Sequence, residues 1–293
     1  MVKIDIQDGV VNVPIFSNTV SLTVTFNPNL EDKRLVNQIK NLYHNVDRII
    51  IVDNASNNFE ALLDVILPYS DKIILLRNET NIGIAGGLNY GIKEFLQNTN
   101  DEWLLFLDQD TIISEDNFKN MYKEVKKIKD KQFYIIGLNY WRLRFSKRIL
   151  RNNKKIRKAK EIITSGTLAN RYVLDQIKLD ESLFMYFVDT DFCKKVAKEG
   201  FKIILLKDTI MDHEEGKRII KNGKEFYFID SKSLYFISRN GIIMLKRYGD
   251  ILAVLFSLLT LYMNIIAIGQ PFVNLSIFLK GILDAVKSNN MVV

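Results

Sequence analysis

The 293-residue sequence has a single cysteine, Cys193, so no disulfide can form within the chain. That excludes the small secreted folds stapled by disulfides and fits a reducing, intracellular setting. Histidine is nearly as scarce, with only His44 and His213. The N-terminus lacks a basic segment followed by an apolar one, so no secretory signal is expected. There is no internal repeat and no Gly/Ser linker. Neither G-x-G-x-x-G nor G-x-x-x-x-G-K-[ST] occurs, which removes the dinucleotide and P-loop fingerprints. A nucleotide-binding sheet without them must hold a diphosphate mainly through a metal.

The residues that are present bury well. With 47% hydrophobic and 26% charged residues, global disorder is excluded, and the length suits one large domain or two modest ones. The net charge of +7 is unevenly spread: residues 1–130 carry −6 and residues 131–293 carry +13. Ten basic residues fall between Arg142 and Lys160 with no acid among them. That stretch reads as a solvated loop or as a contact with anionic lipid or a lipid diphosphate. Nucleic acid is not expected, because aromatic interleaving is thin, with only Trp141 and Phe145.

Organisation along the chain follows from periodicity. Residues 2–15 alternate around Asp8-Gly9 and predict an N-terminal hairpin. From Ser21, short apolar runs at 20–26, 48–52, 72–76, 103–107 and 133–138 alternate with helical stretches at 35–43, 59–67, 85–96 and 117–129. The pattern predicts an α/β fold with a mostly parallel sheet covered by helices on both faces. A further strand is expected at 203–206, and a hairpin at 219–229 around Asn222-Gly223. The composition breaks near residue 230. The expected parts are a hairpin (1–18), a main domain (19–230, in two halves, 19–111 and 112–230) and a helical region (231–293). Within the last, Ile251–Gly269 is almost long enough to span a bilayer, roughly 20 residues being needed. The amphipathic Phe272–Val286 that follows Pro271 favours a helix lying in the membrane interface over a span. A buried core or oligomer helix is the third reading.

In a parallel sheet, ligands sit beyond the carboxyl ends of the strands. Here those ends read Thr25-Phe26-Asn27-Pro28, Asp53-Asn54-Ala55-Ser56, Asn81-Ile82-Gly83 and Asp108-Gln109-Asp110-Thr111. Any one is an ordinary polar turn. Four at one edge converge donors and carboxylates on one crevice. Glycines between Gly83 and Gly91 are expected to let backbone approach a ligand. Asp108 and Asp110 suit a hard divalent metal shared with substrate phosphates.

These runs, with NIGIAGGLNYG at 81–91 and LDQDT at 107–111, resemble glycosyltransferase family 2, the inverting GT-A enzymes, from about Ser21 to Gly216. The DQD form resembles the rhamnosyltransferase branch that builds bacterial surface polysaccharide. The resemblance implies donor contacts from Thr25, Asn27, Asp53, Asn81, Gly83, Asp108, Ser165 and Gly166. It implies a Mg²⁺ or Mn²⁺ site at Asp110 and Asp108 completed by His213. It implies a catalytic base at Asp189 or Asp191, within a segment that has Val188 where the family often has Glu. His44 is expected to be a surface or capping residue and Cys193 a small buried one.

The function implied is inverting transfer of a sugar, rhamnose from dTDP-rhamnose, to a lipid-diphosphate-linked saccharide at the cytoplasmic face of the membrane. The partners are the nucleotide-sugar donor, that acceptor and an anionic membrane surface, with room for a homodimer. UDP-hexose donors and a non-catalytic membrane-bound assembly partner stay open as alternatives. A nucleotidyltransferase is disfavoured, because Phe26–Leu30 carries no basic side chain for the nucleotide's phosphates.

Overall fold

The structure, a computed structural model, describes residues 18–140, 155–213, 218–221, 224–227 and 229–288. The hairpin expected around Asp8-Gly9 and the basic residues 142–154 lie outside the described residues. Two compact units are present, one within Met1–Glu181 and Phe192–Glu214, the other within Ser182–Asp191 and Glu215–Val293.

The first unit is built on β1 (Thr19–Thr25), α1 (Arg34–Asn45), β2 (Arg48–Asp53), α2 (Phe59–Ile66), β3 (Ile73–Arg77), α3 (Gly83–Asn98) and β4 (Trp103–Asp108). It continues with α4 (Glu115–Val125), β5 (Tyr134–Tyr140), β6 (Ile156–Lys158), β7 (Thr167–Asn170), α5 (Arg171–Gln176), most of α6 (Val188–Lys198) and β8 (Lys202–Met211). The eight strands form one sheet in the order β3-β2-β1-β4-β7-β5-β8-β6. From β3 to β4 every pairing is parallel, so Thr25, Asp53, Arg77 and Asp108 end at one edge. All seven residues of β1 are buried, as a central strand covered on both faces requires.

Beyond β4 the sheet is mixed. The short β7 pairs antiparallel with both β4 and β5, and β6 pairs antiparallel with the edge of β8. Neither was visible in the sequence, since four and three residues carry too little periodicity to stand out. Strand β8 runs ten residues, beyond the four expected, and its continuation pairs Asp212 with Ile112 in an isolated antiparallel bridge.

Two glycines of the α3 run, Gly87 and Gly91, have a different use from the one the sequence suggested. A Cβ at Gly87 would strike Val24, and one at Gly91 would strike Leu22. Both side chains project from β1, so these glycines set how closely the helix lies on the sheet. The backbone they expose is covered by protein.

The second unit holds the antiparallel hairpin β9 (Arg218–Lys221) and β10 (Lys224–Tyr227), then α7 (Ser231–Tyr248), α8 (Ile251–Ile268) and α9 (Pro271–Lys287). Asp230 caps α7 by accepting from the Ser233 amide at 2.6 Å, and Gly249 ends it at a positive φ of 64°. Asp250 caps α8, and Pro271 stands in the first turn of α9, where its missing N–H costs nothing. Helix α7 packs against both α8 and α9. The approaches are close because Gly241 faces Ser257 and Gly281 faces Ser238.

Replacing Gly91 with Val should force α3 away from β1 and cost about 1–3 kcal/mol of stability, the usual range for overpacking. The urea midpoint of the purified protein measures it.

Candidate active site

At the edge where the parallel strands end, Asp53 is wholly buried. One carboxylate oxygen accepts from the Thr25 hydroxyl at 3.2 Å, and the other accepts from the Ser56 amide at 3.0 Å. Arg77 Nε lies 3.5 Å from that second oxygen, with its guanidinium 3.7 Å from the Phe59 ring centroid. Asn27 stands beside them, its amide donating to Ser56 Oγ at 2.8 Å and its side-chain oxygen accepting from the Asn57 amide at 2.7 Å. Asn27 and Ala55 have positive φ, at 45° and 63°. Left-handed backbone in non-glycine residues is costly and collects where a loop's shape serves a site.

The segment before α3 joins the same edge. Asn81 accepts from the Gly83 amide at 2.9 Å, and Asn54 donates to the Gly83 carbonyl at 2.9 Å. Gly83 has φ 81°, which glycine tolerates without penalty.

One strand further along, Asp108, Asp110 and His213 bring one ligand atom each to within 4.8 Å of the others. His213 Nε2 is 3.9 Å from Asp108 Oδ2, and Nδ1 is 3.4 Å from Asp110 Oδ1. Asp110 Oδ1 is buried and makes no hydrogen bond among the described residues. Two carboxylates and an imidazole, with a buried oxygen left unsatisfied, fit a hard divalent cation. Behind them runs a chain of hydroxyls. Ser165 Oγ accepts from the Asp108 amide at 3.0 Å and lies 2.7 Å from Thr111 Oγ1, which lies 2.8 Å from His213 Nδ1. A ring nitrogen held in this way leaves the other to face a metal. Gly166, at φ 74°, closes the turn, where a Cβ would strike Met211.

Two residues that sequence reasoning missed hold this cluster in place. Gln38 of α1 is buried; its amide donates to the carbonyls of Asp108 at 2.7 Å and Thr111 at 2.6 Å, and its oxygen accepts from Thr23 at 3.0 Å. Arg34 donates to the Asp110 carbonyl at 2.8 Å and pairs with Asp212 at 3.2 Å, next to His213. Gln38 had a signal: it falls on the apolar stripe Leu35, Ile39, Leu42, where an amide must find buried partners. Arg34, Arg77 and Thr111 had none beyond adjacency to the motifs.

The two remaining candidates belong to the second unit, in the first turn of α6. Asp191 is fully buried and accepts from Arg247 at 3.1 Å and from Tyr248 at 2.8 Å. Asp189 is partly exposed. His44 is exposed in the last turn of α1, and Cys193 is buried with its sulfur 3.5 Å from the Ile162 amide, as expected of each.

Solved structures show the fold. The chain superposes with TM-score 0.59 and 12% identity on GalNAc-T7 with UDP, GalNAc and Mn²⁺, covering 80% of this chain and 48% of that one. With a mannosyltransferase from Pyrobaculum calidifontis in complex with GDP-Man and Mn²⁺, the TM-score is 0.57 at 14% identity, over 93% and 76% of the two chains. The fold is therefore the GT-A fold of glycosyltransferases. A family model, Glycosyl transferase family 2, matches residues 23–177, more than half the chain. The chain belongs to that family. It is 28% identical over 223 residues to the dTDP-rhamnosyl transferase RfbF of Shigella flexneri, covering 70% of this chain and 72% of the relative. It is 26% identical over 103 residues to the glycosyltransferase GlyG of Streptococcus pneumoniae, about a third of each.

Gln38→Leu keeps the volume but strands the buried Thr111 carbonyl and the Thr23 hydroxyl, and leaves the Asp108 carbonyl with the Thr111 amide at 3.1 Å. A loss of about 1–3 kcal/mol is expected, as for an unsatisfied buried polar group. Weaker Mn²⁺ binding by electron paramagnetic resonance should accompany it.

Proposed function

We propose that the protein transfers rhamnose from dTDP-rhamnose, with inversion, to a lipid-diphosphate-linked saccharide. The observation that carries the transfer is the Asp108–Asp110–His213 cluster beside buried Asp53 on a family 2 sheet. The rhamnosyl donor rests on the similarity to RfbF.

In this reading, Asp53 faces the donor's pyrimidine, with Thr25, Asn27, Asn81 and Gly83 around the nucleoside. Asp108, Asp110 and His213 would hold Mg²⁺ or Mn²⁺, which when bound offsets charge on the departing diphosphate. Ser165 and Thr111 keep the imidazole oriented. Gly166 keeps the turn beneath them small. Asp189 accepts the proton of the acceptor hydroxyl as that oxygen attacks the anomeric carbon from the face opposite the diphosphate. A positioned base contributes roughly a hundred- to ten-thousand-fold. An activated diphosphate leaves without being protonated, so no separate acid is needed.

Membrane contact is supported by the polarity of the second unit. Its interior holds Ser238, Asn240, Ser257 and Asn264, together with a small apolar cluster of Leu234, Leu261 and Phe278. Its outside carries Leu252 at 75% exposed, Leu259 at 57% and Phe272 at 86%. Polar, small-residue contacts within and apolar side chains without are what a lipid-facing helix group requires. Among the described residues, Ile251–Ile268 is the one helix long and apolar enough to cross a bilayer, and 28% of it is buried. We read it, with α9, as lying in the cytoplasmic interface of an anionic membrane.

The reading is tested by incubating the full chain and Mn²⁺ with dTDP-rhamnose, UDP-glucose, UDP-galactose and UDP-galactofuranose in turn. Release of dTDP from the first, abolished by Asp110→Asn, is expected. Turnover of a UDP donor alone would overturn the rhamnosyl assignment, and binding of no donor would favour an assembly partner.

For the membrane, changing Leu252, Leu259 and Phe272 together to Glu should abolish co-sedimentation with phosphatidylglycerol vesicles. A wild-type chain that stays in the supernatant as a dimer would instead assign that surface to a second copy.

A further inference from the structure

The second unit holds a buried polar knot that the proposed reaction does not use. Asp191 accepts from two groups of α7, the Arg247 guanidinium, 7% exposed, and the Tyr248 hydroxyl, both on the same carboxylate oxygen. Two turns earlier on α7, the buried Asn240 donates its side-chain amide to the carbonyls of Met185 at 2.8 Å and Tyr186 at 3.1 Å. Its orientation is defined, because Arg239 donates to its oxygen at 2.8 Å and also to the Ser182 carbonyl at 2.9 Å. Rings add to the contact, Phe184 stacking on Phe236 at 5.0 Å between centroids.

What these groups grip is a strained turn. Tyr186 and Phe187 both adopt left-handed backbone, at φ 63° and 61°. Two bulky residues in that region in succession persist only where surrounding contacts over-determine them. The helix begins at the next residue, and Asp189 is in its first turn. Positions two apart on a helix point about 200° apart. Asp191 is turned into the protein against α7, whereas Asp189, two positions before it, is partly exposed. A base must come within about 2.6–3.2 Å of the oxygen whose proton it takes. A fully buried carboxylate bonded to an arginine and a tyrosine does not meet that condition.

We propose that Asp191 is a positioning residue: Asn240, Arg247 and Tyr248 of α7 lock the turn 185–187 and the first turn of α6, and so fix the direction in which Asp189 is presented. The proposal rests on the reading of Asp189 as the base. Helix α7 is then the scaffold of the base, and Asp191, though next to it in sequence, never touches the acceptor.

The test uses the full chain and four variants, each checked for native circular dichroism: Asp189→Asn, Asp191→Asn, Asn240→Ala and Tyr248→Phe. Hydrogen exchange reports the lock without needing a substrate. Amides of 183–192 should exchange at least about tenfold faster in Asn240→Ala and Tyr248→Phe, since one opening of a hydrogen-bonded turn is made easier. Amides of 19–111 should be unchanged. Kinetics with Mn²⁺ and dTDP-rhamnose, or whichever UDP-hexose the native chain turns over, report the consequence. In the same two variants kcat should fall about tenfold to a hundredfold while donor KM stays within about twofold, because a small misdirection of a catalytic group is costly and donor binding is not involved. Asp191→Asn keeps an oxygen to accept both bonds and should retain measurable turnover, whereas Asp189→Asn falls to background.

Three results would overturn the proposal: unchanged exchange, faster exchange with unchanged kcat, or Asp191→Asn as inactive as Asp189→Asn. A native chain that turns over no donor would sink the transferase reading, leaving the exchange result to decide the lock by itself.

Discussion

The amide of Gln38 is bonded at both ends inside the protein, to the carbonyls of Asp108 and Thr111 on one side and to the Thr23 hydroxyl on the other. The Asp108 carbonyl also accepts from the Thr111 amide at 3.1 Å, but the Thr111 carbonyl lies in the turn after β4, has no ladder to enter and is shielded from water. A buried carbonyl without a partner is expensive, so the turn keeps its shape only while α1 supplies one. From that turn the rest of the metal-type cluster follows. The Asp108 amide finds Ser165, Thr111 finds Ser165 and His213, and Arg34 ties the Asp110 carbonyl to Asp212. The bridge between Ile112 and Asp212 brings the histidine there from more than 100 residues away in sequence.

The two units solve the problem of polar groups in opposite ways. In the first, apolar strands are wrapped by helices, and polarity collects at the carboxyl edge of the sheet. In the second, serines and asparagines lie between the helices and leucines lie outside. Gly241 and Gly281 let the helices come close, and Ser257 of α8 bonds to the Ile237 carbonyl of α7. Such packing does not rely on water to drive the helices together. The formal charge of +7 therefore averages over two regions with different surroundings.

Much of the frame was legible in the sequence because β2, β3 and β4 carry apolar runs, β1 is rich in β-branched residues, and α1 to α4 keep a 3.6-residue period. The Asp53, Asp108 and Asp110 positions were legible for a related reason: an acid that ends an apolar run must lie at a sheet edge. The strands β6 and β7 were not, since short antiparallel insertions owe their conformation to neighbours. Gly87 and Gly91 of α3 were misread for want of the strand beneath them. Small residues next to a motif look the same whether a ligand or a leucine lies opposite.

The alternation of β1 to β4 with α1 to α4, the parallel edge and the residues gathered on it were determined by the sequence alone. Period and polarity act within a few residues of one another, and a parallel sheet has only one edge where its strands end. Tertiary structure decided which of those residues support the others. It made Gln38, Thr111 and Ser165 the backing of a carboxylate–histidine cluster and made Gly87 and Gly91 packing residues. It also separated Asp189 from Asp191, which in sequence looked equivalent. Burial and hydrogen-bond partners arise from contacts between distant segments, and those contacts distinguish one aspartate, sealed against Arg247 and Tyr248, from another left partly open two positions before it.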